Sequence, residues 1–260
     1  MDRPDILARA GRLEVRLAAT PHEIRAAQSL RYRVFFEEGG AAPEAESRNA
    51  RRDICRFDDV CDHILAVEAG EVVGAYRLLR GDVAARNFGF YSAAEFDVGA
   101  LMARHPRLNF MELGRSCVAE GFRGKRTLET LWRGVWAYAL NHGVDAMFGC
   151  ASFPGADARP HAAALAALSS VGATEPEWRV APSPGSRRAA LPPPATLDLR
   201  AAIRDLPPLV KGYLRLGARF GTDAVIDETF GTTDVFVLLR VVDIQARYLQ
   251  HFAPEQPIAA

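Results

Sequence analysis

Two short segments concentrate the residue types that can do chemistry. In Asn109 to Ala119 (NFMELGRSCVA), Glu112 stands three residues before Arg115. A carboxylate can take a proton from a reacting group. A guanidinium forks onto carboxylates with two parallel hydrogen bonds. A few residues on, Arg123-Gly124-Lys125-Arg126-Thr127 sets three cations and a glycine before a long apolar-periodic run. If that run is a helix, its free N–H groups and its dipole join the cations in favouring an anion. A purely structural reading stands beside each. Glu112 can pair with Arg115 or Arg77, Arg115 can pair with Glu112 or Asp58, and the basic loop can simply be solvated.

Other candidates are scattered. Arg31 and Asp58 either join the same polar cluster or form a buried ion pair between the first helix and a loop. Cys61 and His63 lie two apart on an expected strand and would share a face. The chain has no second cysteine–histidine group at zinc spacing, so neither a metal site nor a thiol nucleophile is expected. Lys211, Arg215 and Arg219 recur every fourth residue, as one cationic helix face would. That face is either solvated or a dock for an acidic protein or anionic lipid.

The elements that must position these groups are legible in outline. Arg12 to Ala18 alternates as a strand. Thr20-Pro21-His22-Glu23 carries a cap, a proline at the first helical position and a capping-box glutamate, so a helix should run to about Phe36 and stop at Gly39-Gly40. Ala41 to Arg52 is polar and reads as a mobile loop. Asp62 to Glu68 and Glu71 to Leu79 read as a hairpin around Ala69-Gly70. A short helix at Val98 to Arg104, a strand at 109–119, and a helix from Leu128 to Asn141 ended by Gly143 follow. Asp145 to Ser152 is then a strand and His161 to Ser170 a helix. Ala181 to Ala195 is proline-rich and reads as a loop. A helix at Leu206 to Ala218 and strands at Ala224 to Ile226 and Asp234 to Leu239 form a tail. The order predicts one mixed α/β domain over residues 1–260, with a C-terminal extension, and not a doubly wound parallel sheet.

Composition bounds the class. The chain has 260 residues, 49% of them hydrophobic, enough for a sizeable core. Lys+Arg and Asp+Glu balance at 32 each, which argues against a nucleic-acid binder. Four cysteines do not suggest a disulfide scaffold. The N-terminus lacks a signal-peptide core, and no run approaches the roughly 18 apolar residues of a membrane span. The expectation is a cytoplasmic protein whose only membrane contact would be peripheral, at the inner face.

The strand–basic loop–helix of residues 110–141 resembles the acyl-donor site of GNAT-type acyltransferases. Arg123-Gly124 fit that superfamily's loop, while Arg126 and Leu128 replace its later small residues. Leu30 to Phe35, Glu37, Arg56-Phe57-Asp58 and Glu112 to Arg115 resemble the acyl-homoserine-lactone synthases. Gly39-Gly40-Ala41 stands where those enzymes carry a tryptophan. FDDVCDHILAVE, VVGAYRLLR, FMELGRSCV, the segment from Gly124 to Gly155 and PPLVKGYLRLGARFG…DETFGTTDVFVLL resemble the L-ornithine N-alpha-acyltransferases, covering most of residues 30–240. The resemblance implies a GNAT-like fold with a central, mostly antiparallel sheet flanked by helices. It implies transfer of a 3-hydroxy fatty acyl group from acyl carrier protein to the α-amine of L-ornithine, with no metal, nucleotide or redox cofactor. Glu112 would be the catalytic base. Arg115, Arg31, Asp58 and Asp62 would bind the acceptor, with Asp53 and Asp59 also candidates for its side-chain cation. Val118, Arg123, Gly124, Lys125, Arg126 and Thr127 would hold the phosphopantetheine arm and meet the carrier. Trp132 and Trp136 would be core or acyl-pocket wall. A lactone synthase, a short-chain acyl-CoA acyltransferase and a non-catalytic carrier- or lipid-binding module remain as alternatives.

Overall fold

A computed structural model describes residues 5–190 and 197–244. Among these, nine strands form one sheet in the order β1-β2-β3-β4-β5-β6-β9-β8-β7. Strands β1 (Ile6–Ala10) and β2 (Leu13–Leu17) precede helix α1 (Pro21–Tyr32), and α2 (Ala45–Ala50) follows it. Next come β3 (Asp62–Glu68), β4 (Glu71–Arg80), α3 (Gly81–Arg86) and α4 (Val98–Arg104). The middle of the chain is β5 (Phe110–Val118), α5 (Lys125–Asn141), β6 (Ala146–Pro154) and α6 (Ala162–Val171). The last part is β7 (Arg187–Arg188), α7 (Leu199–Arg204), α8 (Pro208–Leu216), β8 (Arg219–Asp227) and β9 (Thr232–Arg240). The pairs are antiparallel except β5 with β6.

Local sequence explains most boundaries. Thr20 Oγ1 accepts from the Glu23 amide, and the Glu23 carboxylate accepts from the Ala19 amide, so α1 is tied down from both sides. The α-helix ends at Tyr32, earlier than expected, and passes into a wider π turn over Arg33–Glu38. Ala69 and Gly70 both adopt positive φ, as a tight hairpin turn requires. Strand β3 is buried on both faces because it is central: Ile64 and Ala66 join the cluster containing Leu131 and Val135 of α5, while Leu65 and Val67 join that containing Ala27 and Leu30 of α1. A third, aromatic cluster (Phe57, Phe90, Phe96, Phe148, Phe236) lies under α4.

Three expectations are corrected. Residues 41–52 are not simply a loop, since they hold α2. The two strands expected at 224–226 and 234–239 are longer, Arg219–Asp227 and Thr232–Arg240, and β9 pairs with β6 over nine residues within the one sheet. Lys211, Arg215 and Arg219 do not form one helix face, because Gly217 at φ +104° ends α8 and Arg219 begins β8. The proline-rich stretch carries β7, and its residues 191–196 lie outside the described residues, as does the extension from 245 onward. No helix of the described residues is long and apolar enough to cross a membrane.

One junction positions the site. Strands β5 and β6 pair only through Phe110–Glu112 against Ala146–Phe148. Beyond that point β5 follows β4 and β6 follows β9, so a wedge opens between them. At its apex a Cβ on Gly149 would stand 2.4 Å from the Leu113 carbonyl oxygen. Gly149→Ala is therefore expected to force the strands apart and cost about 1–3 kcal/mol, read as a lower denaturant midpoint. An unchanged midpoint would mean the apex is not tightly closed.

Candidate active site

The wedge is a cavity of about 380 Å³. Leu113, Gly114, Arg115 and Ser116 line its β5 side, and Cys150, Ser152 and Pro154 its β6 side. Opposite Tyr76 the β5 strand bulges: Ala75 faces Cys117 and Arg77 faces Gly114, leaving Arg115 and Ser116 against one residue. A bulge takes its extra residue out of the ladder and re-aims it. Arg115 adopts φ +53°, a left-handed conformation uncommon for a side chain of this size. Such strain persists only where surroundings impose it, and here they do. Arg115 Nε donates to Asp53 Oδ2 at 3.1 Å and Nη2 donates to Tyr91 Oη at 3.2 Å. The guanidinium lies 4.5 Å from the Tyr91 ring centroid and 4.3 Å from that of Phe230. Burial opposes its charge, but the neighbouring Tyr91 and Asp53 more than compensate, and its pKa is raised. It stays a guanidinium.

Behind Arg115 runs a buried chain of ions. Arg31, 1% exposed, donates through Nε to Asp53 Oδ2 at 2.7 Å and through Nη2 to Asp58 Oδ2 at 2.8 Å. Arg77 Nη1 donates to Asp58 Oδ1 at 3.2 Å. Gln28 and the Cys55 amide also donate to Asp58. Burial works against the Asp58 carboxylate, yet Arg31 and then Arg77 hold it down at about 2. The chain Arg77–Asp58–Arg31–Asp53–Arg115 thus contains three guanidiniums and two carboxylates. It leaves a surplus positive charge at the cavity, where Arg115 Nη1 has no hydrogen-bond partner among the described residues. Arg31 and Asp58 do not line the cavity. They connect to it through Asp53 and the cavity-lining Arg77, away from the place expected for residues that touch an acceptor.

Glu112 is 5% exposed and lines the cavity. It pairs with neither Arg115 nor Arg77. Its two oxygens accept from the backbone amides of Tyr91 at 2.8 Å and Ser92 at 2.7 Å. Those amides open the short 3₁₀ turn Tyr91–Ala94, so Glu112 also fixes one cavity wall. Each carboxylate oxygen has a second acceptor site left for a substrate proton.

Asp62 is displaced from its expected role. It accepts from Tyr138 Oη on the α5 side of the sheet and lies 3.9 Å from Arg80. Asp59 is exposed and Asp53 is committed to two arginines. None of the three lines the cavity among the described residues. His63 Nε2 donates to the Asp58 carbonyl at 3.0 Å, and burial lowers its pKa. Burial pushes the Cys61 and Cys117 thiols up to about 12, which disfavours thiolate chemistry at neutral pH.

At the far end of β5 the chain turns into α5. Gly124 is the N-cap residue and no side chain caps the helix. Lys125 is 84% exposed, 3.5 Å from Glu129. Arg126 Nη2 donates to both carboxylate oxygens of Glu68 at 2.8 Å. Arg123 donates to the Val118 carbonyl at 3.0 Å and pairs with Glu38. Val118 and Thr127 are buried beneath. These residues flank an open helix N-terminus outside the cavity, beyond the far end of the strand that carries Arg115. The cavity's apolar side is formed by Tyr76, Leu209 and Tyr213. Trp132 stands edge-on to both tyrosines, while Trp136 is core.

Sequence reasoning missed Tyr91, Glu95, Phe230 and Asp234, all on the cavity wall. Only Asp234 had a signal: a carboxylate opening the otherwise apolar run Asp234 to Leu239. Burial first, and then the proximity of Asp234, raises the Glu95 pKa. Burial likewise raises that of Asp234, with Asp227 adding to it.

A model of the acetyltransferase (GNAT) domain matches residues 30–133. The L-ornithine N(alpha)-acyltransferase of Rhizobium meliloti (strain 1021) is 49% identical, with the alignment covering 96% of this chain and 88% of the relative. That of Agrobacterium fabrum is 48% identical over 98% of this chain and 89% of the relative. Among solved structures, the AHL synthase LasI is similar in fold, with TM-score 0.50 at 13% identity, covering 94% of this chain and 98% of that one.

Proposed function

The chain belongs to the L-ornithine N(alpha)-acyltransferase family, and from that premise we propose that its wedge cavity joins an acyl thioester to the α-amine of L-ornithine. The enzyme is an N-acyltransferase. The observation that carries the site reading is Arg115, held at a strained bulge with surplus positive charge at the cavity and Glu112 three residues away. On this reading Arg115 binds the acceptor's α-carboxylate with its remaining N–H groups. Glu112 receives the proton of the α-ammonium, directly or through one water. The freed nitrogen attacks the thioester carbonyl, a C–N bond forms, and the C–S bond breaks. Bulge amides near Arg115 and Ser116 stabilise the oxyanion. The thiolate departs on its pantetheine arm and takes up the second proton, which the attacking nitrogen sheds as the amide forms.

The donor is an acyl carrier protein bearing a 3-hydroxy fatty acyl group, and the product is lyso-ornithine lipid. No metal, nucleotide or redox cofactor takes part. The uncapped start of α5 suits the pantetheine phosphate, with Arg123, Gly124, Lys125, Arg126 and Thr127 around it. Tyr76, Leu209 and Tyr213 suit the acyl chain. Lys125→Glu is then expected to raise KM for acyl carrier protein roughly fivefold at low salt, and less at high salt, with KM for ornithine unchanged. Steady-state rates at two ionic strengths check this, and a salt-independent change would remove Lys125 from the docking surface. The donor itself is tested with ornithine and either 3-hydroxyacyl carrier protein or acetyl-CoA. Faster turnover with the carrier protein supports the reading, and preference for acetyl-CoA would make this a short-chain enzyme.

A further inference from the structure

The cavity that holds Arg115 is acidic on its opposite wall. Glu95, Asp227 and Asp234 lie there with Cys150, whose Sγ donates to Glu95 Oε2 at 3.2 Å. Asp234 is only 4% exposed, and its Oδ1 has no hydrogen bond of normal geometry. The same holds for Ser92 Oγ and Thr232 Oγ1 on the same wall. Two of these residues, Ser92 and Asp234, are more than nine-tenths buried, and buried polar atoms are normally satisfied. Here three of them, from β9 and from the turn Tyr91–Ala94, converge on one cavity, and each can accept a proton donor.

We propose that Glu95 and Asp234 bind the side-chain ammonium of the acceptor, so that this pair selects an amino acid with a terminal amine over a neutral one. The inference rests on the acceptor reading above and adds the residues that enforce it. An ammonium brings three N–H donors and no acceptor, the complement of two carboxylates and two hydroxyl oxygens. Arg115 across the cavity takes the α-carboxylate, which orients the molecule and leaves the α-amine beside Glu112. Arg115, Glu95 and Asp234 line the same cavity, so the two ends belong to one site. Burial, and the charge of Asp234 beside Glu95, disfavour having both carboxyls ionised at once, and an arriving ammonium relieves that penalty. Carboxylate, thiol and carboxylate atoms here lie within 4.8 Å of one another, a spacing a metal ion would also accept. The set offers three ligand atoms, one short of the four of a structural zinc site, and zinc retention is an arm of the test below.

The test compares L-ornithine with L-norvaline, which has the same carbon chain without the terminal amine. Wild type should show kcat/KM about 10³-fold or more higher for ornithine. In Asp234→Asn and Glu95→Gln that ratio should collapse toward unity, with norvaline turnover preserved or raised. Variants that lose both substrates equally and keep the ratio would overturn the proposal. A second measurement needs no variant: ornithine should raise the wild-type melting temperature more than equimolar norvaline, and equal shifts would overturn it. Zinc retained stoichiometrically by wild type and lost from Asp234→Asn would also overturn it. A wild type that acylates neither amino acid, or acylates a different one, defeats the acceptor reading itself, and the inference falls with it.

Discussion

Glu112→Gln is expected to lower kcat for ornithine acylation by about 10²-fold or more, with a smaller change in KM. The α-ammonium of an amino acid cannot attack a carbonyl until it gives up a proton, and Glu112 is the carboxylate that shares β5 with Arg115. The same side chain accepts from the Tyr91 and Ser92 amides. Glutamine keeps one acceptor and turns the other into a donor facing an amide, so some stability is lost too, on the order of 1–3 kcal/mol. The two effects separate by choice of acceptor. Hydroxylamine is already neutral at assay pH and needs no base. If Glu112 is the base, the variant's deficit should shrink greatly with hydroxylamine. An equal deficit with both acceptors would make Glu112 a wall-positioning residue.

The largest stability effect is expected at Asp58. It is 5% exposed and bridges Arg31 to Arg77. Asp58→Asn leaves two buried guanidiniums with one counter-charge fewer, a defect that costs roughly 3–5 kcal/mol. That is a large share of the roughly 5–15 kcal/mol that holds a domain folded. The sign of the pH dependence follows from the depressed carboxyl. Its folded value is about 2 against 3.8 for the free group. The stabilisation is therefore fully present above about pH 4 and is lost as pH falls toward 2. Wild type should lose stability through that window, and Asp58→Asn should lack that contribution. Chemical denaturation at neutral and acid pH reads both. A neutral-pH loss below about 1 kcal/mol would show that the network is dispensable.

Much of the scaffold was legible because its signals are local. The hairpin of β3 and β4, the helix α4, and the passage from β5 through the basic loop to α5 each carry their own alternation, caps or turn residues. Strand β1 (ILARA) was not visible, since two alanines and an arginine carry little strand preference. Helix α2 (AESRNA) is short and polar, and shows no apolar stripe. The place of β8 and β9 in the sheet depends on pairing with β6, a long-range contact that no local pattern encodes.

The site divides in the same way. Glu112 and Arg115 sit on one strand, within one motif, and the sequence brings them together. Glu95, Asp227 and Asp234 come from a loop and a distant hairpin, and only closure of the sheet carries them to the opposite wall. The expected cation partners Asp53, Asp59 and Asp62 lay near the motif in sequence, but proximity along the chain was a poor guide. Asp53 is drawn into the ion chain, Asp59 faces solvent and Asp62 faces α5.

Product identity tests the acceptor and the reaction class most directly. Purified protein is given 3-hydroxyacyl carrier protein and an equimolar mixture of the common amino acids with L-ornithine, and the amides formed are read by mass spectrometry. One dominant product is expected, N-acylornithine acylated at the α-nitrogen. A different dominant amide, or none while the carrier protein still binds, would contradict it.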